Sequence, residues 1–178
     1  HQALPIFDDP SGNYEAHQPP LYYASCLPAY ALGTAIADDL GLDDPETGAL
    51  LLIRVWSILI GGAVIWAVYA LGLRLFANDH RKALMAAGFA AFLPMHLVNV
   101  SGITNDGLAE LMVLLAIISA CEFVARPSDR TSLIMGICVG LAMLVKSNSL
   151  FLLVVGITAA LLATREWKAE SLRLKLTG

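Results

Sequence analysis

Apolar runs long enough to cross a lipid bilayer dominate this sequence of 178 residues. A transmembrane helix needs about 20 consecutive, mostly apolar residues. Such runs are predicted at 50–73, 83–100, 108–125, 133–145 and 150–163. Because the hydrocarbon core offers no partner for unpaired backbone groups, each run is expected to be an α-helix. The pattern therefore predicts an all-α polytopic membrane protein with about five transmembrane helices.

The composition supports this class of protein. Hydrophobic residues make up 57% of the chain and charged residues only 15%. Soluble globular proteins average about 25% charged residues, so the composition excludes an ordinary soluble domain as well as a disordered chain. The three cysteines have no metal-ligand spacing and, being odd in number, form no disulfide framework. The last two apolar runs are short for a span and are expected to borrow flanking residues.

Charge is divided unevenly along the chain, and the division predicts a topology. Residues 1–50 contain eight Asp and Glu and no Lys or Arg. Under the positive-inside rule, loops rich in Lys and Arg lie in the cytoplasm. The segments predicted there are the loop with Arg74, Arg81 and Lys82, the loop with Arg126 and Arg130, and the basic tail 164–178, an expected interfacial helix. Residues 38–48, 101–106 and 146–149 are then extracytoplasmic, and the acidic outer part argues against a nucleic-acid partner.

The apolar segment 21–37 is a special case, because it is short and Pro28 interrupts it. We predict a juxtamembrane helix on the outer membrane surface rather than a further span. The chain then divides into an extracytoplasmic part (1–49), a transmembrane domain (50–163) and the basic cytoplasmic segment (164–178). If 21–37 crossed the membrane instead, residues 8–20 would lie in the cytoplasm.

The first candidate site directly precedes this helix. Glu15, His17 and Gln18 place a carboxylate, an imidazole and an amide within four residues. The diproline that follows, Pro19-Pro20, favours an extended approach to a helix. An ordinary aqueous loop leading to interfacial tyrosines explains the same residues about equally well.

The second candidate site is Asn105-Asp106 at the outer start of a predicted helix. Glu110 follows Asp106 by four residues, so both carboxylates lie on one helical face. Two acids at a membrane boundary could hold a metal ion or bind a polar group. Asn and Asp are also favoured helix caps, which is the simpler explanation of Asp106. Glu110 lies one turn deeper, where a carboxylate is costly without a partner.

Two basic residues could bind a phosphate group at the outer surface. Lys146 is the only charged residue of its predicted outer loop, and Arg54 lies near the start of the first long apolar run. A cation at either position could pair with a phosphate. Either side chain could instead be an anchor that extends to the membrane interface. We predict that His96 is a structural histidine.

The order of these residues resembles the GT-C membrane glycosyltransferases, which include protein O-mannosyltransferases and lipid A aminoarabinose transferases. Residues 14–23, Tyr-Glu-Ala-His-Gln-Pro-Pro-Leu-Tyr-Tyr, are similar to the motif that follows the first outer loop in that family. Arg54 resembles the arginine of the next helix, and Asn105-Asp106-Gly107 resembles an outer-facing helix start. Residues 140–146 resemble a Gly-rich helix ending in a lysine, here Lys146.

The resemblance implies transfer of a sugar from a polyprenyl-phosphate donor to a lipid, glycan or protein acceptor on the extracytoplasmic side of the cytoplasmic membrane. Lys146 and Arg54 are then expected to contact the carrier phosphate. Glu15, His17 and Gln18 are expected to shape the outer-loop site. Asp106, together with Asn105, is expected to orient the loop or to bind a divalent metal or the acceptor.

The chain also departs from the family pattern. The family's catalytic acid belongs to an Asp-Glu pair well before the Pro-Pro motif, and this sequence has no such pair. We therefore expect the catalytic base upstream of His1 and expect this segment alone to be inactive. The alternative is a non-catalytic transporter or assembly protein, in which Glu110 and Glu122 are pathway residues.

Overall fold

The computed structural model describes residues 19–41 and 44–177, with side chains through residue 164. Within that part the chain forms seven α-helices and one 3-10 helix and no β-strand, which confirms the all-α prediction. The helices are α1 (Leu21–Asp39), α2 (Pro45–Leu75), α3 (His80–Ala91), α4 (Pro94–Ser101), α5 (Asp106–Ala125), α6 (Asp129–Val145), the 3-10 helix (Ser147–Phe151) and α7 (Leu152–Thr177).

Three stretches of the described chain are long and apolar enough to cross a membrane: Pro45–Leu75, Asp106–Ala125 and Ser147–Thr164. The pair α3–α4 makes a fourth if it is counted as one bent span. The predicted run 133–145 lies in α6, which gains four residues at its start but has only 17 in all. The run 150–163 begins in the last two residues of the 3-10 helix and continues in α7, which extends to Thr177, so the basic tail prolongs α7.

The predicted helix 83–100 is divided into α3 and α4, which meet at an angle of 62°. Pro94 causes the break, because it has no N–H to donate and disfavours the helical conformation of the residue before it. Leu93 accordingly has extended dihedral angles, with φ −65° and ψ 121°. As a result, α4 leaves the direction of α3 and packs against α2 and α5.

Helix α1 packs antiparallel to the first half of α2. Gly33 lies directly against Gly48 and Ala49, while Tyr22 at the start of α1 reaches Ser57. Small residues at a helix crossing allow the two backbones to approach closely. Within the described residues α1 is not among the helices that could span a membrane. Its position on the outer surface stays a prediction.

The remaining helices form a bundle with two distinct ends. Helices α2 and α5 run parallel, since Gly107 lies beside Ile60 and Arg74 lies 3.9 Å from Glu122. Helix α6 returns antiparallel to α5, which brings its last residues to the start of α5. At this end a core cluster joins α1, α2, α5 and α6, and it contains Tyr22, Cys26, Ile53, Ile60, Leu108, Ala109 and Val145.

Gly33→Ala is expected to destabilise the fold, because its Cβ would lie 2.6 Å from the Ala49 Cα and the Gly48 carbonyl oxygen. Backbone atoms cannot move aside as a side-chain end can, so we expect a loss of about 1–3 kcal/mol. The matched control is Gly62→Ala in α2, whose Cβ meets nothing within 4 Å. Thermal unfolding in detergent measures both, and equal stability of the two variants would contradict the α1–α2 packing.

Candidate functional site

The structure pairs Asp106 with Lys146 across 40 residues of sequence. Asp106 is the first residue of α5, and Lys146 directly follows the last residue of α6. The Lys146 Nζ donates a hydrogen bond to Asp106 Oδ1. The two side chains are 27% and 36% exposed, so the ion pair remains accessible from outside the bundle.

The backbone geometry at the end of α6 places Lys146 beside Asp106. The Lys146 N–H still bonds to the Ala142 carbonyl at 3.1 Å, but its φ of −151° and ψ of 127° are extended and end the helix. The 3-10 helix begins at once, with Ser149 N–H donating to the Lys146 carbonyl at 3.0 Å. Asn105 adds a second link, because its Nδ2 donates to the Val145 carbonyl at 3.3 Å.

The start of α5 differs from the simple capping explanation. Asn105 occupies the N-cap position, yet its side chain makes no capping hydrogen bond and instead reaches α6. Asp106 lies in the first turn, where a negative charge interacts favourably with the helix dipole. Its carboxylate also accepts the bond from Lys146. Both side chains therefore join two helices rather than serving α5 alone.

Glu110 has partners on α4. Its Oε2 lies 2.9 Å from His96 Nδ1, and its Oε1 accepts a hydrogen bond from Asn99 Nδ2 at 2.9 Å. His96 is buried, so these bonds satisfy polar groups that are costly to leave unpaired in an apolar setting. Glu110 thus fixes the bent helix α4 to α5, one turn from Asp106. One sequence feature could have indicated this cluster: His96 and Asn99 are three residues apart, which puts both on one helical face.

The start of α1 lies next to this site. The Tyr22 ring is buried in the same core cluster as Leu108 and Val145. Its hydroxyl lies 3.4 Å from Ser57 Oγ, and burial raises the pKa of Tyr22 to about 12 despite that hydrogen bond. An ordinary tyrosine is already neutral near pH 7, and burial strengthens that preference here.

The predicted binding residues are brought together only in part. Asn105, Asp106 and Lys146 form one cluster, as the previous contacts show. Arg54 is exposed on α2 and makes no ion pair within the described residues. Arg54 precedes Gly61 by seven residues, so the two residues lie about 10 Å apart along the axis of α2. Glu15, His17 and Gln18 lie outside the described residues.

Glu122 also has structural partners. Glu122 lies 3.9 Å from Arg74 Nε and 3.8 Å from Arg126 Nη1, at the opposite end of the bundle from Asp106. Among the described side chains, no group of three or more His, Cys, Asp or Glu could hold a metal ion. Local ion pairs and hydrogen bonds therefore account for the carboxylates of Glu110 and Glu122, the two acids that the transporter alternative uses.

These features define an integral membrane protein of α-helices with an accessible Lys–Asp pair at one end. The family model described as dolichyl-phosphate-mannose-protein mannosyltransferase matches residues 47–177. The chain belongs to this family of membrane glycosyltransferases, which confirms the GT-C resemblance. The match includes Arg54, Asn105, Asp106 and Lys146, whereas the motif at 14–23 precedes it. No curated protein and no solved structure gives a significant match.

Glu110→Ala is expected to destabilise the protein by about 1–3 kcal/mol, because it leaves His96 and Asn99 without their acceptor. Glu110→Gln is the matched control. Its amide oxygen still accepts from Asn99, and its N–H₂ can donate to neutral His96. Thermal unfolding of the purified protein should show a smaller loss for Gln than for Ala. Equal melting temperatures for wild type and Glu110→Ala would remove this cluster as the link between α4 and α5.

Proposed function

We propose that this chain is part of an integral membrane glycosyltransferase that moves a sugar from a polyprenyl-phosphate donor to an acceptor on the extracytoplasmic side. Membership of the mannosyltransferase family supports the reaction class and favours mannose as the sugar and protein as the acceptor. The structural observation that carries the proposal is the accessible Lys146 beside Asp106, at the end of the bundle opposite the basic loops.

Lys146 suits the phosphate of a lipid-linked donor. An ammonium group has three N–H donors, so it can keep its bond to Asp106 and still donate to a phosphate oxygen. Before the donor arrives, Asp106 and the backbone link from Asn105 hold the lysine end of α6 in place. The site is therefore organised in advance, which lowers the cost of binding.

Lys146 also suits the chemical step. The acceptor hydroxyl oxygen forms a bond to the anomeric carbon of the sugar while the bond from that carbon to the phosphate oxygen breaks. The polyprenyl phosphate leaves with the electron pair, and a cation beside it stabilises the negative charge that develops. An acidic residue takes the hydroxyl proton as general base.

The other candidate residues are proposed to complete the site. Glu15, His17 and Gln18 directly precede α1, whose first turn packs beside the Lys146 region, and they are proposed to bind the sugar or acceptor. Asp106 and Asn105 are proposed to orient the loop, and the second carboxylate oxygen of Asp106 is proposed to accept a hydrogen bond from the acceptor. Arg54 is exposed and free to approach a second oxygen of the carrier phosphate.

The proposed location is the cytoplasmic membrane, with the site facing outward. Arg74, Arg81, Lys82, Arg126 and Arg130 lie at or near the α2–α3 and α5–α6 connections, whereas Asp106 and Lys146 lie at the other end. Because basic loops remain on the cytoplasmic side, this separation favours an extracytoplasmic position for Lys146.

Lys146→Ala is expected to raise the KM for the lipid-linked donor about 10–100-fold, because a charged hydrogen bond to phosphate is lost. Lys146→Arg keeps the charge with a different geometry and should show an intermediate value. The measurement is transfer of radiolabelled sugar by the complete protein in proteoliposomes.

The matched control is Lys82→Ala, which removes an exposed lysine that is paired with Asp79 at the opposite end of the bundle. It should leave the donor KM unchanged. Equal KM values for wild type and Lys146→Ala would rule out the phosphate role of Lys146. Absence of transfer by the wild-type protein with every polyprenyl-phosphate sugar would favour the non-catalytic alternative.

A further inference from the structure

Three charged residues at the end of the bundle opposite Lys146 have no part in the proposed reaction. Arg74 lies in the last turn of α2, Glu122 lies in the last turn of α5, and Arg126 directly follows α5. One carboxylate faces both guanidinium groups: Arg74 Nε is 3.9 Å from Glu122 Oε2, and Arg126 Nη1 is 3.8 Å from Glu122 Oε1. Both distances exceed the length of a charge-assisted hydrogen bond, so guanidinium N–H groups remain available to another acceptor.

The backbone fixes both arginines before any anion binds. The Arg126 N–H donates to the Glu122 carbonyl at 2.9 Å, and the Arg126 carbonyl accepts a bond from Thr131 Oγ1 of α6 at 2.9 Å. The Arg74 Nη1 donates to the Ala70 carbonyl, one turn earlier in α2, at 3.2 Å. The ends of α2 and α5 and the start of α6 thus set the positions of the two guanidinium groups, which lowers the cost of binding.

The depth of this charged group along the bundle matches a membrane interface. Helix α5 has 20 residues and is therefore about 30 Å long, the thickness of the hydrocarbon core of a bilayer. Asp106 begins this helix and Arg126 directly follows it, which places the two residues at opposite interfaces. Leu75 and Phe76 directly follow Arg74 and are 64% and 41% exposed. Cations and exposed apolar side chains thus lie side by side, as a lipid headgroup and its acyl chains require.

We propose that Arg74 and Arg126 together bind the phosphate group of an anionic phospholipid, such as phosphatidylglycerol. The guanidinium group has several N–H donors in a planar array that matches phosphate oxygens, and Glu122 leaves part of each array free. Two cations against one carboxylate leave a net positive charge, which favours an anionic lipid over a zwitterionic one. This is also the end with the basic loops, and the cytoplasmic leaflet carries anionic lipids.

The test measures the lipid selectivity of the complete protein in phosphatidylcholine vesicles. Electron spin resonance of spin-labelled lipids gives the association constant of phosphatidylglycerol relative to phosphatidylcholine. Arg126→Gln should lower this constant about fivefold, because one cation beside the headgroup is lost. The Arg126 side chain is 84% exposed, so this variant is expected to fold. Arg74→Gln should lower the constant by a similar factor.

The matched control is Lys82→Gln. Lys82 is an exposed cation at the same end of the bundle, but it pairs with Asp79 at 3.1 Å and lies outside the charged group. Its loss should change the relative association constant by less than about twofold. An equal loss for Lys82→Gln and Arg126→Gln would mean that diffuse surface charge attracts the lipid, and the site would be overturned.

Glu122→Gln tests the sign of the effect. The change removes the negative charge that competes with the phosphate, so phosphatidylglycerol should bind about fivefold more tightly. A purely structural role of the three residues predicts a lower melting temperature and no gain in lipid association. Unchanged or weaker association in Glu122→Gln would therefore contradict the proposal.

Inorganic phosphate distinguishes a lipid from a soluble anion. Adding phosphatidylglycerol to the vesicles should raise the melting temperature of the wild type more than that of Arg126→Gln, whereas inorganic phosphate should raise neither. Equal stabilisation of the wild type by inorganic phosphate would assign the site to a soluble anion and overturn the lipid proposal. None of these measurements requires sugar transfer, so their outcome is separate from that of the transferase proposal.

Discussion

The ion pair between Lys146 and Asp106 is the interaction on which the arrangement of the site depends. Both charges lie where helices of an apolar bundle begin or end, and an unpaired charge there is costly. Pairing them joins the start of α5 to the end of α6, and the bond from Asn105 to the Val145 carbonyl joins the same two places. The pair is therefore both a structural link and the source of an accessible cation.

The cost of unpaired polar groups in an apolar bundle also explains how the bent helix is held in place. Pro94 interrupts the span formed by α3 and α4, and His96 and Asn99 on α4 then need polar partners. Glu110 supplies both, so a carboxylate that is costly alone becomes the anchor of α4. Within the described chain, no buried side-chain nitrogen or oxygen lacks a hydrogen-bond partner. The polar groups of α4 are thus paired next to the site.

The sequence predicted the helices well, because apolar runs and the bilayer's lack of hydrogen-bond partners allow few alternatives. It did not predict the break before Pro94, since the apolar run continues through it, or the contact of Gly33 with Gly48, which depends on two helices meeting. Spacing indicated Asp106 and Lys146 as separate candidates, but their pairing spans 40 residues and becomes visible only in the fold. The roles of Glu15, His17 and Gln18 stay predictions.

The most direct test of the account is a structure of the complete protein with a non-reactive polyprenyl-phosphate sugar analogue, determined by electron cryo-microscopy. The account predicts a phosphate oxygen at about 2.7–2.9 Å from Lys146 Nζ, as in charge-assisted hydrogen bonds. It also predicts that Asp106 stays in contact with the same ammonium group. A phosphate bound elsewhere, with Lys146 paired to Asp106 alone, would contradict the assignment of this site.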